Sequence, residues 1–304
     1  MPKPEPIKPQ SRSFNCPNCG APVDLRVPSQ TQSVVCGACG SVLDVRTPEV
    51  KILQEYNKKL THKPIIPLGR RGKVRGEQIE CIGYMRRTIT VEGDQYTWSE
   101  YVLWSPYVGY RWLTEYDGHW NYVKTTNAVA RAPKSAAASI QAYGLTFRHF
   151  QTSTPEVTFV LGEFPWIVRR GSRARGYDYV SPPFMLSGEE EEGEFTWSLG
   201  EYTSPHTIWQ AFALEGNPRR PVGVFANQPC PYTLKTARLW GMFGAFAGAN
   251  VVLAIVAQMV AKPPSTSPGC CTIVSLLALG AWPIATQVFS SQFETQRWAE
   301  SDHA

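Results

Sequence analysis

The segment CPNCGAPVDLRVPSQTQSVVCGACG, residues 16–40, contains two matching CxxCG turns that decide how the N-terminal part of the chain folds. Each turn places two sulfur atoms on one tight bend, and the following glycine lets the backbone fold back toward the thiolates. The sixteen residues between Cys19 and Cys36 suit a small β-hairpin that brings the two turns together. We therefore predict a zinc ribbon over residues 13–46 whose ligands are Cys16, Cys19, Cys36 and Cys39.

Three chemistries are compatible with this ligand pattern: structural zinc, a rubredoxin-like iron site, and a pair of disulfides. The short spacing and an expected cytosolic setting favour zinc. Because the protein supplies all four ligands and leaves no position for water, the metal is expected to be structural and not catalytic. A ribbon of this size cannot bury enough surface to fold alone, so metal binding should supply the missing free energy.

Residues 1–12 are rich in Pro and Lys and are expected to be a disordered tail. After the ribbon, the run PEVKILQEYNKKL, residues 48–60, has apolar residues at helical spacing. We therefore predict a helical linker over residues 47–64.

Two aromatic-rich segments follow, residues 65–131 and 145–232, joined by a linker at 132–144. Aromatic residues alternate with polar ones, and turns such as Asp117-Gly118 separate runs of strand length. Each segment is predicted to be a β-meander or a small barrel. WSEY at 98–101 is echoed by WSLGEY at 197–202, which raises the possibility of a duplication.

Two long uncharged runs lie near the C terminus, Leu239–Ala261 and Cys270–Phe289. We predict a two-helix transmembrane hairpin over residues 237–289, followed by a cytoplasmic tail at 290–304. The alternative is a buried helical pair in a soluble domain. Positive residues flanking the runs favour both termini in the cytoplasm, with the protein in the bacterial inner membrane. The GxxxG step at Gly244 and Gly248 would allow homo-oligomer formation.

The fold class predicted is thus multidomain and mainly β, with an N-terminal zinc ribbon and a C-terminal membrane hairpin. The net charge of the 304 residues is only +5, which excludes electrostatically driven polyanion binding as the default. Nucleic acid is not an expected partner, because the arginines of the ribbon alternate with aspartates and form no basic stripe.

The sequence contains no recognisable catalytic motif, so no catalytic residue and no cofactor besides zinc is assigned. Three glutamates, Glu100, Glu163 and Glu201, lie among aromatic residues and would have raised pKa values if buried. A hydrolase or transferase with a glutamate-based site is therefore the alternative function. The acidic run SGEEEEGEF, residues 187–195, is predicted to be a solvated hairpin tip, with a divalent-cation site as its alternative.

Taken in order, the CPNCG/CGACG ribbon, PLGRRGKVRG, WSEYVLW, LGEFPW and WSLGEY resemble the uncharacterised bacterial membrane-protein family called domain of unknown function 4178. The resemblance implies a membrane-tethered cytoplasmic protein without assigned activity, linked to envelope stress or polyamines. We therefore expect a membrane-tethered adaptor or sensor. Its unidentified protein partners are expected to contact exposed tryptophans and tyrosines.

Overall fold

The computed structural model describes residues 12–56, 62–127, 137–191, 193–232, 236–260 and 284–303. The chain divides into two compact units, Met1–Asn227 and Gln228–Ala304. The first unit is built almost entirely from β-strands, and the second unit from helices. The prediction of a mainly β protein is confirmed for this coarse level of description.

The first unit begins with five short strands: β1 (Arg12–Asn15), β2 (Pro22–Leu25), β3 (Ser33–Val35), β4 (Val42–Asp44) and β5 (Lys51–Gln54). The strands that follow are longer, except β6 and β11: β6 (Arg71–Val74), β7 (Glu77–Val91), β8 (Asp94–Ser105), β9 (Gly109–Tyr116), β10 (His119–Thr126), β11 (Ser139–Ala142), β12 (Leu145–Ser153), β13 (Glu156–Phe164), β14 (Arg175–Ser181), β15 (Phe184–Glu191) and β16 (Glu194–Thr203). Helix α1 (Pro205–Phe212) closes this series.

One antiparallel sheet contains every described strand of this unit except β1 and β2, which pair only with each other. Its strand order is β11-β12-β14-β15-β16-β10-β9-β8-β7-β13-β3-β4-β5, and β6 pairs with β7. The ribbon strands β3 and β4, followed by β5, therefore continue the sheet past β13. Arg87 of β7 forms an ion pair with Glu189 of β15, although four strands lie between these two in the order. The sheet must bend for these side chains to meet.

The two segments predicted as separate β-modules share this sheet. Strand β10 pairs with β16 over Trp120–Thr126 and Trp197–Thr203, and β7 pairs with β13. Each of these pairs joins residues from 65–131 to residues from 145–232. Two independent small sheets would leave the backbone N–H and C=O groups of their edge strands unpaired, and pairing across the two segments gives these groups partners.

The hairpin turns expected from the sequence are present. Glu92 and Gly93 both have positive φ (53° and 97°), as do Asp117 and Gly118 (46° and 86°). Two consecutive residues with positive φ form the turn that matches the twist of antiparallel strands. The acidic run is likewise a hairpin, since Glu191 of β15 pairs with Glu194 of β16.

Helix α1 packs against one face of the sheet. Its N-cap is Ser204, whose side chain accepts a hydrogen bond from the backbone N–H of Thr207 (3.2 Å), and Pro205 occupies the first turn. This start was expected from the Ser-Pro sequence. Its apolar side chains enter a buried core formed with the inner strands, whose members include Ile208, Phe212, Tyr101, Leu103 and Trp120.

The predicted helical linker is wrong over its first part. Residues Lys51–Gln54 form strand β5, which pairs with β4 through Leu43↔Ile52. The open edge of β4 offers backbone partners to this segment, and tertiary pairing overrides a weak helical pattern. Residues 57–61 of the predicted linker lie outside the described residues.

The second unit contains α2 (Thr236–Val260) and helical residues 284–298. Across the residues that the structure describes, no helix is long and apolar enough to cross a membrane. The predicted span Leu239–Ala261 and the integral membrane localisation with two spans are therefore wrong. In the predicted second span, residues 270–283 lie outside the described residues.

Gly162 provides a test of how closely β13 approaches its neighbour. Its φ is +84°, and an added Cβ would lie 2.3 Å from the carbonyl oxygen of Ile82. Gly162→Ala should therefore lower the free energy of unfolding by about 3 kcal/mol, combining left-handed strain with overpacking.

The matched control is Gly76→Ala, since Gly76 has nearly the same φ (+83°) but nothing within 4 Å of an added Cβ. It should lose only about 1–2 kcal/mol. Equal losses in denaturant titration of the two variants would contradict the close approach at β13.

Candidate metal centre

The two CxxC turns have the same backbone geometry. In the first turn, Gly20 N–H donates to Cys16 O (2.8 Å); in the second, Gly40 N–H donates to Cys36 O (2.8 Å). Both glycines have positive φ, 74° and 76°, which explains why glycine follows each second cysteine. The first turn connects β1 to β2, and the second connects β3 to β4.

The four predicted ligands come together. Their Sγ atoms all lie within 4.8 Å of one another, with Cys16–Cys39 at 3.9 Å and Cys19–Cys36 at 3.7 Å. A tetrahedral site with metal–sulfur bonds of about 2.3 Å requires sulfurs about 3.8 Å apart. All four cysteines are free, and disulfide bonds would need sulfurs at about 2.05 Å. The donor set therefore fits a metal ion and not a pair of disulfides.

The pKa values of the cysteine thiols are shifted in different directions by their surroundings. Burial raises the pKa of the Cys36 thiol to about 12. Burial also opposes ionisation of Cys39, but hydrogen bonds with Ser41, Cys19 and Asn18 outweigh it and lower the pKa of Cys39 to about 6. A buried thiol with a raised pKa becomes a thiolate only when a cation compensates the charge. Ionised thiolates held as close together as these four sulfurs would require a compensating cation.

A network around Ser41 supports the second turn. Its Oγ lies 3.3 Å from Cys39 Sγ and accepts hydrogen bonds from Asn18 Nδ2 (2.8 Å) and the backbone N–H of Tyr56 (3.0 Å). Asn18 lies in the first turn and Tyr56 lies just after β5. The Ser41 hydroxyl therefore connects both turns to the segment that follows β5. Such outer contacts orient metal ligands.

Glu163 of β13 fastens the ribbon to the sheet. Its buried carboxylate accepts hydrogen bonds from the backbone N–H groups of Arg26 (2.7 Å) and Val27 (3.1 Å), and lies 2.9 Å from the hydroxyl of Thr31. Burial raises its pKa, and the two backbone hydrogen bonds oppose that rise. With its oxygens occupied in this way, Glu163 has a structural role.

The other two glutamates of the enzyme hypothesis lie on opposite faces of the sheet. The register aligns Glu201 with Tyr122, Leu113 and Tyr101, so these side chains share one face. Glu100 is adjacent to Tyr101 along β8 and points the other way. Glu201 pairs with Arg75, and Glu100 accepts a hydrogen bond from Trp98 Nε1 (2.7 Å). The structure therefore does not assemble the three glutamates into one site.

Glu100 instead belongs to a polar cluster that the sequence did not reveal. The buried guanidinium of Arg87 lies 3.7 Å from Glu100 and contacts Glu189. Asp178 accepts a hydrogen bond from Ser187 (2.5 Å), and the charges of Glu189 and Arg87 act on it. Burial raises the pKa of both Glu100 and Asp178. Glu189 was expected at a solvated hairpin tip, and only the bend of the sheet brings it to Arg87.

Both ring nitrogens of His119 have hydrogen-bond partners. Its Nε2 lies 3.0 Å from Val222 O and its Nδ1 lies 3.0 Å from the hydroxyl of Tyr202, so Nε2–H donates and Nδ1 accepts. Burial lowers its pKa, which keeps the ring neutral. This histidine is part of the packing, not a free base.

Removal of the Glu163 carboxylate should loosen the ribbon. Glu163→Ala leaves the backbone N–H groups of Arg26 and Val27 without their acceptor, and should cost about 2–4 kcal/mol of unfolding free energy. Glu201→Ala, which removes a partly exposed ion pair, should cost less than about 1 kcal/mol. Similar losses in the two variants would contradict the fastening role.

The raised pKa of Asp178 predicts a pH dependence of stability. A carboxyl whose folded pKa exceeds the unfolded value of about 3.9 contributes stability below that value and loses it as pH rises through the folded pKa. Asp178→Asn should therefore flatten the decline in unfolding free energy above about pH 4. Asp94→Asn, at an exposed position, should keep the wild-type slope. If the unfolding free energy of Asp178→Asn depends on pH as steeply as that of the wild type, Asp178 does not take up a proton on folding.

Comparison with known proteins identifies the sheet but not the ribbon. Residues 67–205 match the family model described as "Domain of unknown function (DUF4178)", a range that extends from just before β6 to the start of α1. No curated protein and no solved structure matches the chain. The family resemblance predicted from the sequence is confirmed, without its membrane and ribbon features. Residues 67–205 of this chain belong to the DUF4178 family.

Proposed function

We propose that the protein is a binding adaptor whose N-terminal ribbon is held by a structural zinc ion. The observation that carries the proposal is the cluster of four cysteine sulfurs, which all lie within 4.8 Å of one another. Zinc suits this donor set because it accepts four thiolates in tetrahedral geometry and needs no redox partner. Four protein ligands leave no position for a reacting water, so the metal has a structural role.

The ribbon's place in the sheet supports an adaptor in which the metal stabilises a binding scaffold. Strands β3 and β4 carry the second CxxC turn, and β3 pairs directly with β13 of the DUF4178 domain. Metal binding would therefore order strands that extend the domain's sheet. Among the described strands, the order ends at β5, and a strand at the end of a sheet is a place where an extended segment of a partner can add.

Partner contacts are expected through exposed tryptophans and tyrosines. Trp104, Trp120 and Trp197 are buried in the first unit and stabilise its core, whereas Tyr107 and Tyr143 are exposed. We propose that recognition uses the backbone edge of the sheet, with exposed rings such as these two tyrosines as further contacts.

The enzyme alternative receives less support, because its three candidate glutamates have separate partners. Glu163 binds the ribbon backbone, Glu201 pairs with Arg75, and Glu100 contacts Arg87 and Trp98. Catalysis by paired carboxyls would need two of them at one substrate.

Metal content tests the proposal directly. The full chain should bind one zinc ion per molecule, and its cobalt-substituted form should show the absorption of a tetrahedral four-thiolate site. Cys36→Ser should abolish stoichiometric binding. Cys230→Ser should retain it, because Cys230 lies outside the four-cysteine cluster. A wild-type chain that binds iron or no metal would overturn the zinc assignment.

The adaptor role calls for a separate measurement. Proximity labelling in the native host should mark a defined set of proteins with the wild-type chain, and this set should be lost with Cys36→Ser but kept with Cys230→Ser. Labelling that is the same with both variants would contradict a metal-dependent scaffold.

A further inference from the structure

Arg170 lies between β13 and β14 in the DUF4178 domain and contacts the ribbon at several points. Its Nη2 donates to the carbonyl oxygen of Gly40 (2.9 Å), the residue that follows Cys39. Its backbone N–H donates to Gln54 Oε1 (3.0 Å), and its backbone oxygen accepts from Gln54 Nε2 (3.2 Å). The backbone and the side chain of Arg170 are therefore both fixed relative to the second CxxC turn.

The guanidinium of Arg170 also packs on a residue that holds the turn. Its central carbon lies 3.9 Å from the centre of the Tyr56 ring, within the range of a cation–π contact. The backbone N–H of Tyr56 donates to Ser41 Oγ, and Ser41 Oγ donates to the backbone oxygen of Tyr56 (3.2 Å). Because this hydroxyl lies beside Cys39 Sγ, Arg170 is linked to a predicted metal ligand by two independent routes.

The charge of Arg170 lacks a compensating carboxylate. Its Nε and Nη1 are buried without a hydrogen-bond partner, and no ion pair within the described part of the chain includes Arg170. A half-buried cation without a nearby anion carries part of the desolvation cost of a buried charge. Four thiolates around one divalent cation would leave a net charge of about −2 next to this residue's contacts.

We propose that Arg170 is the counter-charge and positioning residue of the four-cysteine metal centre, so that the DUF4178 domain completes the ribbon's binding site. This inference rests on the proposed structural zinc. Its hydrogen bond to Gly40 holds the second turn in the shape that presents Cys36 and Cys39, and its charge offsets the excess negative charge of the thiolates. Because binding couplings are reciprocal, zinc would also stabilise the segment that carries Arg170.

The test compares zinc dissociation constants of full-length variants by chelator competition. Arg170→Gln keeps an N–H donor for Gly40 but removes the charge, and it should weaken zinc binding about tenfold or more, as for other outer-contact residues of metal sites. Arg170→Lys keeps the charge and should recover part of the loss. Arg173→Gln is the matched control, because Arg173 lies in the same connection but pairs with the exposed carboxylate of Glu156.

A second variant helps to distinguish a specific loss of zinc affinity from misfolding. Tyr56→Leu leaves the charge of the chain unchanged, removes the ring beneath the guanidinium, and should also weaken zinc binding relative to Arg173→Gln. Near-ultraviolet circular dichroism of the zinc-saturated variants reports whether they fold. Dissociation constants equal to that of Arg173→Gln in both Arg170→Gln and Tyr56→Leu would overturn the role of Arg170. A wild-type chain that binds no zinc would instead refute the proposed function on which it rests.

Discussion

The pairing of β3 with β13 is the contact on which the arrangement of the first unit depends. It covers only three residue pairs, Ser33–Val35 with Gly162–Phe164, yet it joins the ribbon to the DUF4178 sheet. Backbone pairing of this length is weak in isolation. The carboxylate of Glu163 adds hydrogen bonds to the loop before β3, and Ser33 Oγ donates to Trp166 O (2.7 Å). The second CxxC turn and the DUF4178 sheet are therefore joined by the same contacts.

Buried charges recur where the chain connects distant segments. Glu163 is stabilised by backbone N–H groups, Arg87 by carboxylates of β8 and β15, and Arg170 by a carbonyl and an aromatic ring. A buried ion is tolerated only with good partners, so each of these side chains favours one register over its alternatives. In a sheet this wide, such contacts help to specify which strands meet, because the backbone hydrogen bonds themselves carry no sequence information.

Local chemistry was the part of the structure that could be predicted. The CxxCG repeats predicted the four clustered cysteines, Asp117-Gly118 predicted a tight hairpin, and Ser204-Pro205 predicted the start of α1. Each signal depends on a few adjacent residues with restricted backbone geometry. The helical interpretation of residues 48–60 was wrong because Lys51–Gln54 pair with β4, a partner that the local pattern does not include. The membrane spans were inferred from uncharged length alone, and the described helices do not support them.

The sequence by itself determined the clustering of the four cysteines, the turn positions, the mainly β character and the match of residues 67–205 to a family. Tertiary structure decided that two apparent modules form one sheet, that Glu163 is a fastening residue, and that Arg170 meets the ribbon. The physical reason is separation along the chain: Arg170 and Gly40 are 130 positions apart. Local propensities fix turns and strands, whereas only the folded register specifies which distant backbone groups and charges become partners.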